Sequence, residues 1–343
     1  MDFTFSDEQD SLREAVRDLA AAHATPAVPG DAEHDPALWR ALAEMGTLGL
    51  PFPEDAGGMG AGPVEVMIVA AELGRAGLRT AYADAMVAGT MLGEDGLLGE
   101  LCEGGALVVP ALYEAGRAFA PAPVTITADG DALTGIREPV PFAAAATAVV
   151  TSARDGDAVA LFAIDEPALA GAKLDLAGAA ARRLKGDQAT VRRAINLGIL
   201  AQSAEALGAM ESALTMTVDY LKSRKQFGVP LMRFQTLTQR AADMYTSLEL
   251  ARSAVYHAAM TLAADPDDAT TISRLRVIAG KAGRHVGQEA IQLHGGIGMT
   301  AEYAVGHLTA RLTAIEHSYG DVRYHLGLLA AGVGDYQEIE LVG

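Results

Sequence analysis

The chain has 343 residues, half of them hydrophobic and a fifth charged, which is the balance of an ordinary soluble globular protein with room for two or three domains and a sizeable core. Its formal net charge of −18 excludes a broad basic surface and, with it, a nucleic-acid or anionic-membrane partner. The single cysteine, Cys102, excludes an internal disulfide and cysteine-rich metal sites, so the expectation is a reducing, cytoplasmic setting with no metal centre.

At the start of the chain, Met1 to Thr4 lack the basic and apolar regions of a signal peptide, and the longest nearly apolar run, 141–150, is too short to span a bilayer. Ser6-Asp7-Glu8-Gln9 forms a capping-box pattern ahead of Leu12, Val16 and Leu19, which share one helical face. A second helix is predicted over 36–45, with Trp39, Leu42 and Met45 inward and Gly46 ending it. The glycine-rich stretch 51–60 reads as an irregular connector. Pro63 then starts a helix whose Val66, Val69, Ala70 and Leu73 face the core, and another helical stretch covers 81–101.

Composition changes after Gly104-Gly105. Residues 124–127 and 132–135 flank Asp129-Gly130, while 147–152 and 158–164 flank Asp155-Gly156, which predicts two β-hairpins. This middle region holds roughly 80 residues, enough for a few strands only. From about residue 191 helical periodicity returns. Leu200, Ala204, Leu207, Met210, Leu214 and Val218 recur at three- and four-residue spacing along a helix over 197–223. After a break at Phe227-Gly228-Val229-Pro230, helices over 234–263, 270–293 and 305–330 complete an antiparallel four-helix bundle. The fold expected is mainly α: a helical domain over 1–104, a reduced β domain over 105–188, and a helical bundle with a tail over 189–343.

Two stretches carry chemistry. In Gln292-Leu293-His294-Gly295-Gly296-Ile297-Gly298, the glycines can take positive φ and let the backbone approach a bulky anion, Gln292 offers an amide, and His294 offers a ring. The competing reading is a plain helix cap at Gly295 and Gly296. In Arg224-Lys225-Gln226-Phe227-Gly228, Arg224 suits a phosphate, Gln226 a ribose or ring edge, and Phe227 a flat heterocycle. An arginine at a helix end also favours the helix dipole by itself. His285, His317 and His325 lack metal-ligand spacing, which leaves them ordinary hydrogen-bonding roles.

With these motifs in place, the chain resembles the acyl-CoA dehydrogenases. The resemblance is carried by Arg224 to Gly228, by Phe234-Gln235 leading into Ala241-Ala242-Asp243-Met244, by Lys281-Ala282 and by Gln292 to Met299. Phe5 to Gln9, Leu42 to Gly46 and the loop from Pro53-Glu54 to Gly60 fit as well, so it spans the whole length, weakly in the middle. It implies FAD, oxidation of an acyl-CoA at Cα–Cβ, and a cofactor lying between two subunits. By resemblance, Arg224 binds the pyrophosphate, Gln226 and Phe227 contact the ADP portion, and Gln292, Gly295 and Gly296 close over it.

The departures from the family narrow the role. The middle region over 107–116 lacks the Thr-Glu-Pro and glycine- and serine-rich segment that touches the flavin ring. Counting from Gln292 to the family's catalytic glutamate reaches Tyr319-Gly320, and tyrosine, with an ordinary pKa of about 10, is a poor base for an α-proton. The alternative position of the base, in the first bundle helix, holds Gly198, and the neighbouring position, where members often carry a substrate-contacting arginine, holds Ile199. No catalytic residue is therefore expected in this chain, Glu316 and Asp321 being the only displaced candidates. The resemblance is to the short, base-lacking subunit of heteromeric bacterial acyl-CoA dehydrogenases, some acting on steroid side-chain thioesters. It implies a dimer of dimers with a catalytic partner that supplies the flavin pocket and the glutamate, removes the α-proton and passes hydride from Cβ to the flavin. The alternatives are a self-sufficient homo-oligomer with a displaced base, and a non-catalytic assembly or nucleotide-binding homologue.

Overall fold

The computed structural model describes residues 4–24 and 34–335; Met1 to Phe3, on which the leader reading partly rests, and the tail 336–343 lie outside the described residues. Five helices come first: α1 (Asp7–His23), α2 (Pro36–Glu44), α3 (Pro63–Arg75), α4 (Tyr82–Leu92) and α5 (Gly96–Cys102). The capping box forms as read, with Gln9 N–H donating to Ser6 Oγ and Gln9 Oε1 accepting from Ser6 N–H. The stretch expected as one helix over 81–101 is two. Gly93 turns the chain at φ +63°, and Asp95 restarts it by accepting from Leu97 N–H.

The middle of the chain contains β1 (Val108–Ala111), β2 (Thr127–Asp129), β3 (Ala132–Thr134), β4 (Ile136–Arg137), β5 (Ala148–Asp155), β6 (Ala158–Asp165), β7 (Leu169–Ala170), β8 (Lys173–Asp175) and β9 (Ala181–Leu184). Both predicted hairpins are present, as β2–β3 and as β5–β6, the latter paired from Ala148 with Asp165 to Asp155 with Ala158, but the first strand starts only at Thr127 and the turns fall one residue later than read, at Gly130-Asp131 and Gly156-Asp157, because Asp129 and Asp155 still pair across the strands. One sheet runs β3-β2-β5-β6-β9 with β1 parallel to β5, and a second runs β4-β8-β7. Strand β1 escaped the sequence reading because its four residues are all buried, which removes the alternation that marks a strand. The remaining unforeseen strands, two to four residues long, are too short to show a period.

The bundle begins with α6 (Gln188–Ser223), 36 residues capped by Asp187, which accepts from Ala189 and Thr190 N–H. A short hairpin, β10 (Lys225–Gln226) and β11 (Val229–Pro230), leads into α7 (Gln235–Ala264), α8 (Ala269–His294), α9 (Ala304–Glu316) and α10 (Val322–Ala331). The expected apolar face of α6 is there, but burial does not stop at it. Ala201, Ser203, Glu205 and Ala209 are buried too, so α6 is covered nearly all round over its middle. Glycine makes the tightest of these contacts. A Cβ on Gly208 would lie 1.9 Å from Ala71 O, and one on Gly74 2.0 Å from Glu205 O, so the α3 and α6 backbones touch.

The last predicted helix, 305–330, is likewise divided. Tyr319 (φ +50°) and Gly320 (φ +92°) leave the helical region, and Asp321 caps α10 by accepting from Tyr324 N–H at 2.7 Å. Among the described residues, no helix is long and apolar enough to cross a membrane.

Candidate functional site

Helix α6 ends where Arg224 N–H donates to Tyr220 O. The hairpin that follows pairs Gln226 with Val229 across a two-residue turn, Phe227 (φ +54°) and Gly228 (φ +83°), and two positive φ values are what such a primed turn requires. Leu231 N–H donates to Arg224 O at 2.8 Å and closes the loop back onto the helix end. Beside it α8 stops at His294, with Gly295 at φ +63° as its cap, and a tight turn over Gly295–Met299 follows.

These two helix ends and the first turns of α7 enclose a cavity of about 580 Å³. Of the residues singled out in the sequence, Arg224, Gln226, Gln292, Gly295 and Gly296 line it. The cap reading and the contact reading of the glycines both hold: Gly295 ends α8, and a Cβ at Gly295 or Gly296 would meet nothing within 4 Å, which leaves the backbone bare on the open side. Arg224 is exposed and makes no ion pair among the described residues. A second arginine, Arg240, also lines the cavity, and no aspartate or glutamate does. Arg240 is paired with Glu289, so the unpaired positive charge is that of Arg224, which in a chain of net charge −18 still makes this a locally cationic concavity suited to an anion. Leu231, Leu237 and Ile297 give it an apolar wall.

Phe227 is placed differently from the others. It is absent from the cavity lining and stands 92 % exposed at the hairpin tip, with only an edge contact to Phe234 at 6.1 Å. His294 is not presented as a free acid or base. Its ring is buried between Tyr220 and Tyr303, at centroid distances of 4.6 and 5.0 Å, and its Nδ1 lies 2.7 Å from Ala290 O. Burial lowers its pKa, so it forms an uncharged wall.

A second location holds the residues that the sequence counts reached in the search for a base. Tyr319 is buried; its hydroxyl donates to Asp84 Oδ1 at 2.9 Å, and its N–H donates to Tyr113 Oη at 2.7 Å. The rings of Tyr113 and Phe119 each lie 5.9 Å from that of Tyr319, and Tyr324 packs on Phe119 at 6.0 Å. Gly198 faces the same cluster with no room for a side chain, since its Cβ would lie 2.3 Å from Val87 Cγ2. Neighbouring Ile199 is fully packed. Glu316 is buried with its two oxygens 2.8 and 2.7 Å from Arg284 Nη2, and Asp321 is engaged as the α10 cap. His285 meets Ser247 and His325 meets Ser273 and Tyr319 O, both ordinary hydrogen bonds. Among the described residues no group of three or more His, Cys, Asp or Glu is placed to hold a metal.

The two locations are far apart. From Gly198 to Arg224 the chain climbs along α6 by about 39 Å at 1.5 Å per residue.

Asp84 yields a prediction with a definite sign. Burial pushes its carboxyl up to about 6, against the opposing hydrogen bond from Tyr319 and the attraction of Arg311. The folded state therefore binds the proton more tightly than the unfolded state does. The stability associated with it is present below about pH 4 and is lost as pH rises through 6. Asp84→Asn keeps an acceptor for Tyr319 and removes the buried charge. It should raise stability at pH 7.5 by about 1–3 kcal/mol and change little at pH 4, as read by thermal unfolding at the two pH values. Destabilisation at pH 7.5 would contradict this account.

Sequence reasoning missed Arg240 and Tyr220 in the cavity wall. Arg240 stands one turn beyond Phe234-Gln235 on α7, so its place near that motif was a usable signal. Nothing in the sequence pairs Asp84 with Tyr319, which meet only through tertiary packing.

Residues 6–98 match the model of the acyl-CoA dehydrogenase N-terminal domain, and residues 188–334 that of the acyl-CoA dehydrogenase C-terminal domain. Acyl-CoA dehydrogenase IpdE2 of Mycolicibacterium smegmatis is 31 % identical over 96 % of this chain and 99 % of its own length. Among solved structures, the ChsE4–ChsE5 complex from Mycobacterium tuberculosis superposes with a TM-score of 0.88 at 27 % identity, covering 98 % of this chain and 100 % of that one. The Tcur3481–Tcur3483 steroid ACAD G363A variant superposes with a TM-score of 0.87 at 28 % identity, covering 96 % and 98 %.

Proposed function

The chain belongs to the acyl-CoA dehydrogenase family, and from that premise we propose that it is the non-catalytic subunit of a heteromeric acyl-CoA dehydrogenase, giving the ADP half of an FAD site to a catalytic partner. The observation that carries this reading is the pairing of a cationic cavity, which gathers Arg224, Gln226, Gln292, Gly295 and Gly296, with a base position filled by buried Tyr319. The cavity fits the anionic, nucleotide end of the cofactor. The Tyr113, Phe119 and Tyr319 cluster does not fit its ring. When bound, the flavin accepts the hydride in the α,β-oxidation of an acyl thioester.

This chain's own residues bind and neutralise. Arg224 sets its guanidinium against the diphosphate, Gln226 and Gln292 supply amides, and the bare glycine backbone allows close approach. Phe227 reaches past the cavity to the ADP portion from its exposed tip. No catalytic group is assigned, which agrees with the engagement of Glu316 by Arg284 and of Asp321 as a cap. The complex is a cytoplasmic dimer of dimers acting on an acyl-CoA. A steroid side-chain thioester as substrate is supported by likeness to a steroid ACAD, and the heteromer by likeness to a two-component complex. Within the chain we assign 1–104 to a helical domain, 105–188 to a reduced β domain and 189–343 to the bundle and tail.

The test is to co-express the chain with an acyl-CoA dehydrogenase partner that carries the catalytic glutamate and to count FAD in the purified complex. One FAD per two chains is expected; one per chain would refute the shared half-site. In the same complex Arg224→Gln should weaken FAD binding by about a hundredfold, from the loss of a charge-assisted fork on the diphosphate. Full FAD retention by that variant would remove Arg224 from the site.

A further inference from the structure

Arg240 and Glu289 join α7 to α8 beside the cavity. Arg240 Nε donates to Glu289 Oε2 at 2.5 Å and Nη2 to Oε1 at 3.0 Å, a two-point contact that fixes the guanidinium plane. An arginine has five N–H donors, and Glu289 takes two of them, so Nη1 and the second Nη2 hydrogen are left without a partner among the described residues. Arg240 lines the cavity whereas Glu289 does not, so the guanidinium that Glu289 fixes belongs to the cavity wall while the carboxylate does not. Glu289 also holds Arg240 more firmly protonated than usual. Arg224, by contrast, is an exposed guanidinium with no acidic partner among the described residues to fix it.

We propose that Arg240, positioned by Glu289, is a second anion-binding group of this cavity and makes it selective for a diphosphate-bearing nucleotide over the uncharged nucleoside. The proposal rests on the nucleotide reading above and adds a division of labour: Arg224 brings unpaired charge, and Arg240 brings donors already set in direction. Because the Arg240–Glu289 pair is neutral as a unit, its contribution is hydrogen-bond geometry more than net charge. It should therefore be less sensitive to salt than that of Arg224.

The experiment titrates the full chain with ADP and with adenosine by calorimetry, at low and at physiological salt. Wild type should bind ADP more tightly than adenosine. Arg240→Gln should weaken ADP by about tenfold or more and leave adenosine within about twofold, as expected for loss of hydrogen bonds to a charged group. The double variant R240Q/E289Q leaves no stranded carboxylate and should show the same fall in the ADP-to-adenosine ratio, which keeps the test valid if the single variant folds poorly. A purely structural tie between α7 and α8 would lower Tm in both variants with an unchanged ratio, and that result overturns the proposal. Loss of ADP binding in Arg224→Gln with wild-type binding in Arg240→Gln would also overturn it while sparing the nucleotide reading. A wild-type chain that does not distinguish ADP from adenosine would remove that reading and this proposal together.

Discussion

A Tyr319→Glu variant should gain no dehydrogenase activity and should lose about 3–5 kcal/mol of stability, although it writes a glutamate at the position that the count from Gln292 reaches for the family's base. The Tyr319 ring fills space among Tyr113, Phe119 and Gly198, and its hydroxyl satisfies Asp84. A shorter, charged side chain leaves a void against those rings and sets a second carboxylate beside one whose pKa burial has already pushed up to about 6. Two buried acids that close cannot both ionise, so the loss should be larger at pH 8 than at pH 5. Thermal unfolding at the two pH values reads the loss of stability, the first of the two measurements. Dye reduction with an acyl-CoA, in the co-expressed complex, reads the second. A variant that turned over substrate faster than wild type would mean that the cluster opens to a ligand and that Tyr319 had been misjudged as filler.

Gly198→Glu addresses the other family position for a base and should fail more severely. The obstacle is reached at the first side-chain carbon, because a Cβ there lies 2.3 Å from Val87 Cγ2, well inside contact distance. The rest of a glutamate would have to enter the interface between α4 and α6, where Ala194, Ile195 and Ala201 are buried around it. Overpacking of this kind costs about 1–3 kcal/mol, and an unpaired buried carboxylate adds about as much or more, so little soluble protein is expected. Gly198→Ala isolates the steric part and should cost about 1–3 kcal/mol. Combining it with Val87→Ala should recover part of that loss, since the clashing methyl is gone and neighbouring substitutions couple. Independent, additive losses in the two alanine variants would show that the clash is relieved elsewhere.

What the sequence revealed and what it hid follow from the range of each interaction. The capping box at Ser6, the turn signals around Gly130 and Gly156 and the amphipathic pattern of α6 are local signals, and each produced the element expected of it, the turns one residue later than read. Arg224, Gln226, Gln292, Gly295 and Gly296 were legible because each stands at a helix end, where backbone groups lack partners, and the bundle then brought those ends to one cavity. The break at Tyr319 was not legible. Its left-handed conformation is held by Tyr113 and Asp84, more than 200 positions earlier in the chain, and no local pattern announces such a contact. Strand β1 was hidden for the opposite reason, since burial on both faces erases the period that reveals a strand.

The hairpin that closes α6 shows a different tension. Phenylalanine in the left-handed region costs about 1–2 kcal/mol, and at 92 % exposure its ring recovers almost none of this from burial. Glycine or asparagine would relax the turn, and either would suit water better. The Phe227-Gly228 tip is thus a point of local frustration, where the residue present is a poor choice for the free chain. If the ADP portion that we propose it contacts packs on this ring, burial would offset the cost, while the backbone strain itself would stay.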